Sequence, residues 1–270
     1  MRSVKSILLA GTASLLSSAV FAADLPMMMP PPMRVPVEFS GWYLRGDIGM
    51  SNQKLSDIHN VTMDTATSFQ WLDGGGFDSA PIFGVGAGYK FNSWLRADIT
   101  GEYRGKASFH ALDSFDNGGT INTNTYTASK SELLFLANLY ADLGTWYNVT
   151  PFVGVGVGTS RVTIDHYRDL NLIAGGGGWA PSESKWNFAW ALHAGFGYQV
   201  TPSTVIELAY RYVDLGSGVT ADTLNFDGTN PVIGNGTSFN HITSHDLKLG
   251  VRFTLEPPAM FLPPPLVRKG

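Results

Sequence analysis

Apolar and polar residues alternate with period two over eight stretches of the chain, 40–51, 82–91, 94–106, 132–143, 151–164, 186–199, 204–216 and 243–255. Successive side chains of a strand point to opposite faces, so this alternation predicts eight two-sided strands. Each runs about 10 to 14 residues, longer than the usual soluble strand and close to what a tilted membrane crossing needs. The connections alternate too. Asn92–Ser93, residues 144–150 and Val200–Ser203 are tight, whereas 52–81, 107–131, 165–185 and 217–242 are long and rich in Gly, Asn, Ser, Thr and Asp. The rhythm predicts an all-β fold, an eight-stranded antiparallel up-and-down transmembrane β-barrel over 40–255 with short periplasmic turns and four long extracellular loops.

Alternation alone leaves open which face meets lipid. In the first stretch Trp42, Leu44, Ile48 and Met50 oppose Tyr43, Arg45 and Asp47; in the third, Leu95, Ala97, Ile99 and Tyr103 oppose Arg96, Asp98, Glu102 and Arg104. Ile206, Leu208, Tyr210 and Tyr212 oppose Glu207, Ala209 and Arg211, and Leu247, Leu249, Val251 and Phe253 oppose Asp246, Lys248 and Arg252. The polar face is also the small one, because Gly84, Gly86, Gly88, Gly154, Gly156, Gly158, Gly195 and Gly197 share it. An eight-stranded barrel is filled by its own side chains, so long charged groups inside need glycine across from them. The other face carries the bulky aromatics that suit lipid and its interfaces. A basic side chain facing lipid at the midplane costs roughly 2–4 kcal/mol, and several would exceed the roughly 5–15 kcal/mol net stability of a domain. The charges Arg45, Asp47, Arg96, Asp98, Glu102, Arg104, Glu207, Arg211, Asp246, Lys248 and Arg252 are therefore assigned to a lumen network. The alternative, a soluble lipocalin-like barrel with an apolar interior, would crowd the largest aromatics inside and leave the glycines out.

The ends change the picture by giving it a compartment. Arg2 and Lys5 precede an apolar Ile7–Val20 stretch, and Val20-Phe21-Ala22 offers a cleavage site, so residues 1–22 read as a signal peptide. Residues 23–39 form a Pro/Met-rich periplasmic tail with Met27, Met28, Met29 and Pro30, Pro31, Pro32, and 256–270 a Pro-rich C-terminal tail. Both read as extended and polyproline-like. No helical span remains after residue 22, so membrane entry must be by strands. A net charge of -4 leaves no basic footprint for nucleic acid, and the absence of cysteine removes disulfides, Cys-based zinc sites and thiol catalysis.

Gly41-Trp42-Tyr43-Leu44-Arg45-Gly46-Asp47-Ile48-Gly49 resembles the first strand of small opacity-type outer-membrane β-barrel proteins (surface antigens) of alphaproteobacteria. Pro151 to Gly158, Glu207 to Gly216 and His245 to Phe253 resemble their middle, seventh and last strands. The resemblance spans about residues 40–255. It implies the bacterial outer membrane, contact with its lipid and lipopolysaccharide, handling by the barrel-assembly machinery, and a surface role, since its members include surface antigens, adhesins and haem-binding proteins. Such barrels usually end on an aromatic residue. Here the chain continues past Phe253, which would serve as an internal version of that signal.

Candidate chemistry is sparse. Gly154-x-Gly-x-Gly158 lacks the G-x-G-x-x-G spacing and a following helix, so it reads as strand glycine. His59, His110, His166 and His241 lie in the long loops, where convergence would make contacts for haem or another small ligand. No pair has ligand spacing, so no cofactor is assigned and haem stays an alternative. Ser244 and His245 are adjacent and project to opposite faces, and no triad is visible, so no enzyme is expected. Phe69, Trp71, Phe77, Phe115, Tyr167, Trp179 and Phe226 are expected to be exposed on the loops. The reading is a surface protein with a structural envelope role and loop-mediated interaction or adhesion with a host surface. A ligand receptor, and less so a lipid A-modifying enzyme, are the alternatives.

Overall fold

A computed structural model describes residues 41–255 apart from 117 and 231. The expected signal peptide, the Met/Pro segment before residue 41 and the tail 256–270 lie outside the described residues. Eight strands build the wall: β1 (Gly41–Lys54), β2 (Ala80–Lys90), β3 (Leu95–Asp116), β4 (Asn124–Asp142), β5 (Val149–Asn171), β6 (Glu183–Thr201), β7 (Thr204–Val219) and β8 (Ser238–Thr254). Each pairs antiparallel with its neighbour in sequence, and β8 pairs with β1, so the sheet closes on itself.

The register fixes the geometry. From Trp42 the cross-strand partners run Tyr89, Ala97, Leu139, Val155, Leu192, Tyr212 and His245, and return to β1 at Asn52, ten residues above the start. Eight strands with that stagger tilt about 40° from the axis and give a backbone radius of about 8 Å. So narrow a tube is filled by side chains. A Cβ at Gly88 would stand 2.5 Å from Tyr43 Cζ and 2.6 Å from Asp98 Cβ, and one at Gly84 2.9 Å from Glu102 Cγ. The glycines do line the charged interior.

One end carries tight turns, each with a local cause. Asn92 Oδ1 accepts the N–H groups of Trp94 (2.9 Å) and Leu95 (2.8 Å), a side chain standing in for a turn. Tyr147 and Asn148 both adopt left-handed φ (50° and 67°) between the hydrogen-bonded pair Trp146 and Val149, as a two-residue hairpin requires. Trp42, Phe91, Trp94, Trp146 and Tyr198 stand exposed around this end.

At the other end the structure corrects the sequence reading. Residues 107–131 and 165–185, expected as loops, are mostly strand: β3 and β4 leave only 117–123 between them, and β5 and β6 enclose a third strand, Gly176–Ala180. Ser68–Phe77 pairs with β3 as an upward continuation of β2, and Asp57–His59 pairs with β8 as a continuation of β1. At about 3.3 Å per residue and this tilt, the longest strands rise about 55 Å, twice the roughly 25 Å apolar band of an outer-membrane barrel. The upper half is a crown. Its interior is apolar: Phe77, Phe109, Leu134, Leu136, Val162, Ile164, Val213, Leu215 and Phe239 are buried together. Phe77 and Tyr167, expected on the surface, are buried there, and Phe69, Trp71 and Phe115 are half-buried, while Trp179 and Phe226 are exposed. Once the wall leaves lipid, its outer face turns polar and the core inverts to apolar inside.

Candidate functional site

Two regions carry functional groups, the charged lumen and the crown. In the lumen, all eleven charges singled out from the sequence are buried. Near the tight-turn end Arg96 meets Asp142 (3.0 Å) and Glu207 (3.3 Å), and Glu207 also meets Arg252 (3.2 Å) and Arg45 (3.4 Å). Glu207 Oε1 meets Arg96 and Arg252 at ion-pair distance but without hydrogen-bond geometry. Arg45 forks to Asp47 (2.8 Å) and Asp98 (2.9 Å), and the Arg96 guanidinium lies 4.2 Å over the Tyr140 ring. Higher up, Arg211 binds Glu102 (2.6 Å) and Asp246 (2.7 Å), and Lys248 also contacts Glu102. Asp246 is shared with Arg104 (2.7 Å), which continues to Glu132 (3.2 Å).

Arg211 therefore reaches Glu102 across the lumen rather than Glu207, its neighbour on the same strand. Sequence reading missed Lys130 and Glu132, which sit in a segment read as a loop and at its edge; Lys130 contacts Glu132 and Gln53. With these and Asp142, the described residues of the lumen hold seven buried cations (Arg45, Arg96, Arg104, Lys130, Arg211, Lys248, Arg252) facing seven buried anions (Asp47, Asp98, Glu102, Glu132, Asp142, Glu207, Asp246). The lumen is neutral and packed. Such a network cross-links the wall, and a missing partner would leave a buried charge uncompensated. His193 is buried beside it with Nε2 3.1 Å from Asn138 Oδ1.

Lys130 Nζ, 4.5 Å over the Phe77 ring, marks the change to the crown core, where Phe77, Phe109 and Phe239 pack with centroids 5.1 to 5.6 Å apart. Above them stand two carboxylates. Asp113 accepts hydrogen bonds from Tyr126 Oη (2.6 Å) and the Asn124 backbone N–H (2.7 Å), and burial raises its pKa. Asp169 is pushed up to about 7, first by burial and then by the charge of Asp113. The tip of the first hairpin closes over them, tied by Asn60 Nδ2 to the Asn235 carbonyl oxygen (2.7 Å) and Thr237 Oγ1 (3.0 Å). A pocket of about 270 Å³ remains beneath it, lined by Met63, Phe69, Asp113, Phe115 and Tyr126 among others.

The four loop histidines do not enter this pocket. His59, His110, His166 and His241 are exposed on the outer side of the crown, each beside an inward neighbour: Ile58, Phe109, Tyr167 and Ile242. His59 lies 3.6 Å from Asp64, and His166 3.4 Å from Ser129 Oγ. His166 and His241 occupy left-handed positions (φ 55° and 51°) at breaks in strand register, a conformation histidine tolerates better than most residues. Ser244 is bound to Arg104 (2.8 Å) and Asp246 (2.5 Å) inside, while His245 faces out and meets Tyr210 Oη (2.6 Å).

Residues 10–255 match the family described as "Outer membrane protein beta-barrel domain". An uncharacterized protein of Brucella suis is 30% identical over 224 residues, 74% of this chain and 78% of that one. A Rickettsia prowazekii protein named "Putative adhesin" is 28% identical over 214 residues, 78% and 86% of the two chains. Among solved structures, outer membrane protein OprG from Pseudomonas aeruginosa is similar over 79% of this chain and 95% of that one, with 16% identity and a TM-score of 0.47. With most of the chain covered by the family match and its eight-stranded wall closed on itself, the chain belongs to the outer-membrane β-barrel family and resides in the bacterial outer membrane.

Proposed function

We propose that this protein is a membrane-anchored surface adhesin: the tight turns face the periplasm, the crown faces outward, and the hairpin tips make the contact. The observation that carries this reading is the pairing of stiffness with apolar exposure. The crown is paired strand with its own core, yet its tips present Ile121, Leu172 (75% exposed), Ile173, Phe226 and Ile233 (90% exposed) to solvent. Apolar groups held on a rigid frame suit contact with another macromolecule. The relative named "Putative adhesin" supports the same reading. The neutral, filled lumen fits an anchor rather than a pore, and the opposite facing of Ser244 and His245 fits a non-enzymatic role. The exposure of Phe253 on the outer face at the end of β8 supports its reading as an internal assembly signal. The pocket, below the 300–1,000 Å³ common for small ligands, and the outward histidines favour adhesion over a haem receptor.

Replacing Leu172, Ile173, Phe226 and Ile233 together with serine tests the reading. Cells carrying the variant should lose adherence to host cells or matrix while the barrel still folds and reaches the surface. Undiminished adherence would refute it.

A further inference from the structure

The lipid-facing wall has one position that the fold does not explain. Gly46 points outward between Leu44 and Ile48, a Cβ there would meet nothing nearer than 4.0 Å, and its φ is not left-handed. Neither close packing nor backbone geometry calls for glycine there. Its cross-strand partners show what the missing side chain leaves open. Val251, Gly46, Val85, Gly101 and Phe135 are successive partners across five strands. They form the floor of an apolar groove of about 720 Å³. Directly above runs a ridge of large residues, Leu249, Ile48, Phe83, Tyr103 and Leu133, also successive partners. Five strands about 4.8 Å apart give the groove a length of about 19 Å. That is close to one tail of a bilayer whose hydrocarbon is about 30 Å thick.

The crown-side end of the groove is basic. Leu133, the last residue of the ridge, is paired with Arg161, and Lys106 follows Tyr103 on the same outer face past the β-bulge at Gly105. Both are exposed, and among the described residues no carboxylate lies within ion-pair distance of either. Trp186 is the partner of Arg161 on β6 and stacks 6.4 Å from Phe135, which sets this end at the interfacial level that tryptophan favours.

We propose that the groove holds one acyl chain of a phosphorylated outer-leaflet glycolipid, with its phosphate between Arg161 and Lys106. A second copy of the chain is the competing occupant. In a membrane all copies share one orientation, so a symmetric contact on this wall would set like charges of the two copies side by side. An anionic headgroup instead neutralises them. The proposal rests on the crown facing outward, which labelling of the hairpin tips tests separately.

Native mass spectrometry of the detergent-solubilised mature chain with diphosphoryl lipid A, phosphatidylglycerol or phosphatidylcholine decides it. One lipid A should be retained in preference to either phospholipid. Gly46→Leu, which fills the floor, should abolish retention, and Arg161→Glu should weaken it at least about tenfold. Ala194→Leu, on the opposite wall, should leave it unchanged. Heat-modifiable mobility on gels shows that each variant is folded. Equal retention by the wild type, Gly46→Leu and Arg161→Glu would overturn the site. Equal binding of phosphatidylglycerol would overturn the glycolipid assignment, and a lipid-free dimer dissociated by Gly46→Leu would give the groove to a second copy.

Discussion

Arg211 shows how much one lumen residue carries. Its guanidinium joins Glu102 on β3 to Asp246 on β8, with every partner buried. Arg211→Ala leaves two carboxylates short of a cation, and the expected loss is about 3–5 kcal/mol in denaturant unfolding. An unchanged midpoint would mean that water or lysines replace it. Asp169 gives a pH signature in the crown, outside the membrane band. Its folded pKa, about 7, lies above the ordinary 3.8, so the folded state keeps a proton that the unfolded chain has released. The contribution is complete below about pH 4 and is lost as pH rises towards 7. Crown stability, followed by hydrogen exchange of the hairpin amides, should fall over that window and then level off, and Asp169→Asn should remove most of the slope, leaving the part that comes from the raised Asp113. A slope undiminished by the substitution would assign it to another group.

At the scale of elements, the crown hairpins are stiff because the wall strands continue into them and bury Phe109 against Phe77 and Phe239. Phe109→Ala is expected to cost about 3–5 kcal/mol. The hairpins should become protease-sensitive while the membrane half stays heat-modifiable; loss of both would show that the halves fold as one unit. The same elements mark where the sequence is legible. In the membrane half, β1 and β7 read clearly, because lipid outside and paired charges inside keep Trp42/Arg45 and Tyr210/Arg211 on opposite faces. Their turn-side ends agree with the sequence reading to within a residue or so. Above the membrane, Ser108, His110, Thr125 and Thr127 replace lipid-facing residues, so the contrast fades though the strands continue. Phe77 and Tyr167 read as loop aromatics for that reason, and Lys130, in one of the same stretches, does not read as a lumen charge. That Arg211 pairs across the tube with Glu102 depends on the stagger of ten, which no single strand records.

For the whole molecule, a wall without edges and a neutral, filled lumen make an anchor that resists detergent. Samples should run faster unboiled than boiled on gels, with strand-rich circular dichroism. A haem titration should give no Soret shift, because the four loop histidines face outward from the crown and none lines its pocket. As a surface adhesin, the proposed function, this anchor would display its apolar hairpin tips outside the cell. The chain has no cysteine, so single thiols report topology without background. Ile233→Cys lies at a tip and Tyr147→Cys in a tight turn, at positions 90% and 99% exposed. With a membrane-impermeant maleimide on intact cells, Ile233→Cys should label fully and Tyr147→Cys only after lysis. Labelling of Tyr147→Cys in intact cells, with Ile233→Cys protected, would put the crown in the periplasm and overturn the adhesin reading.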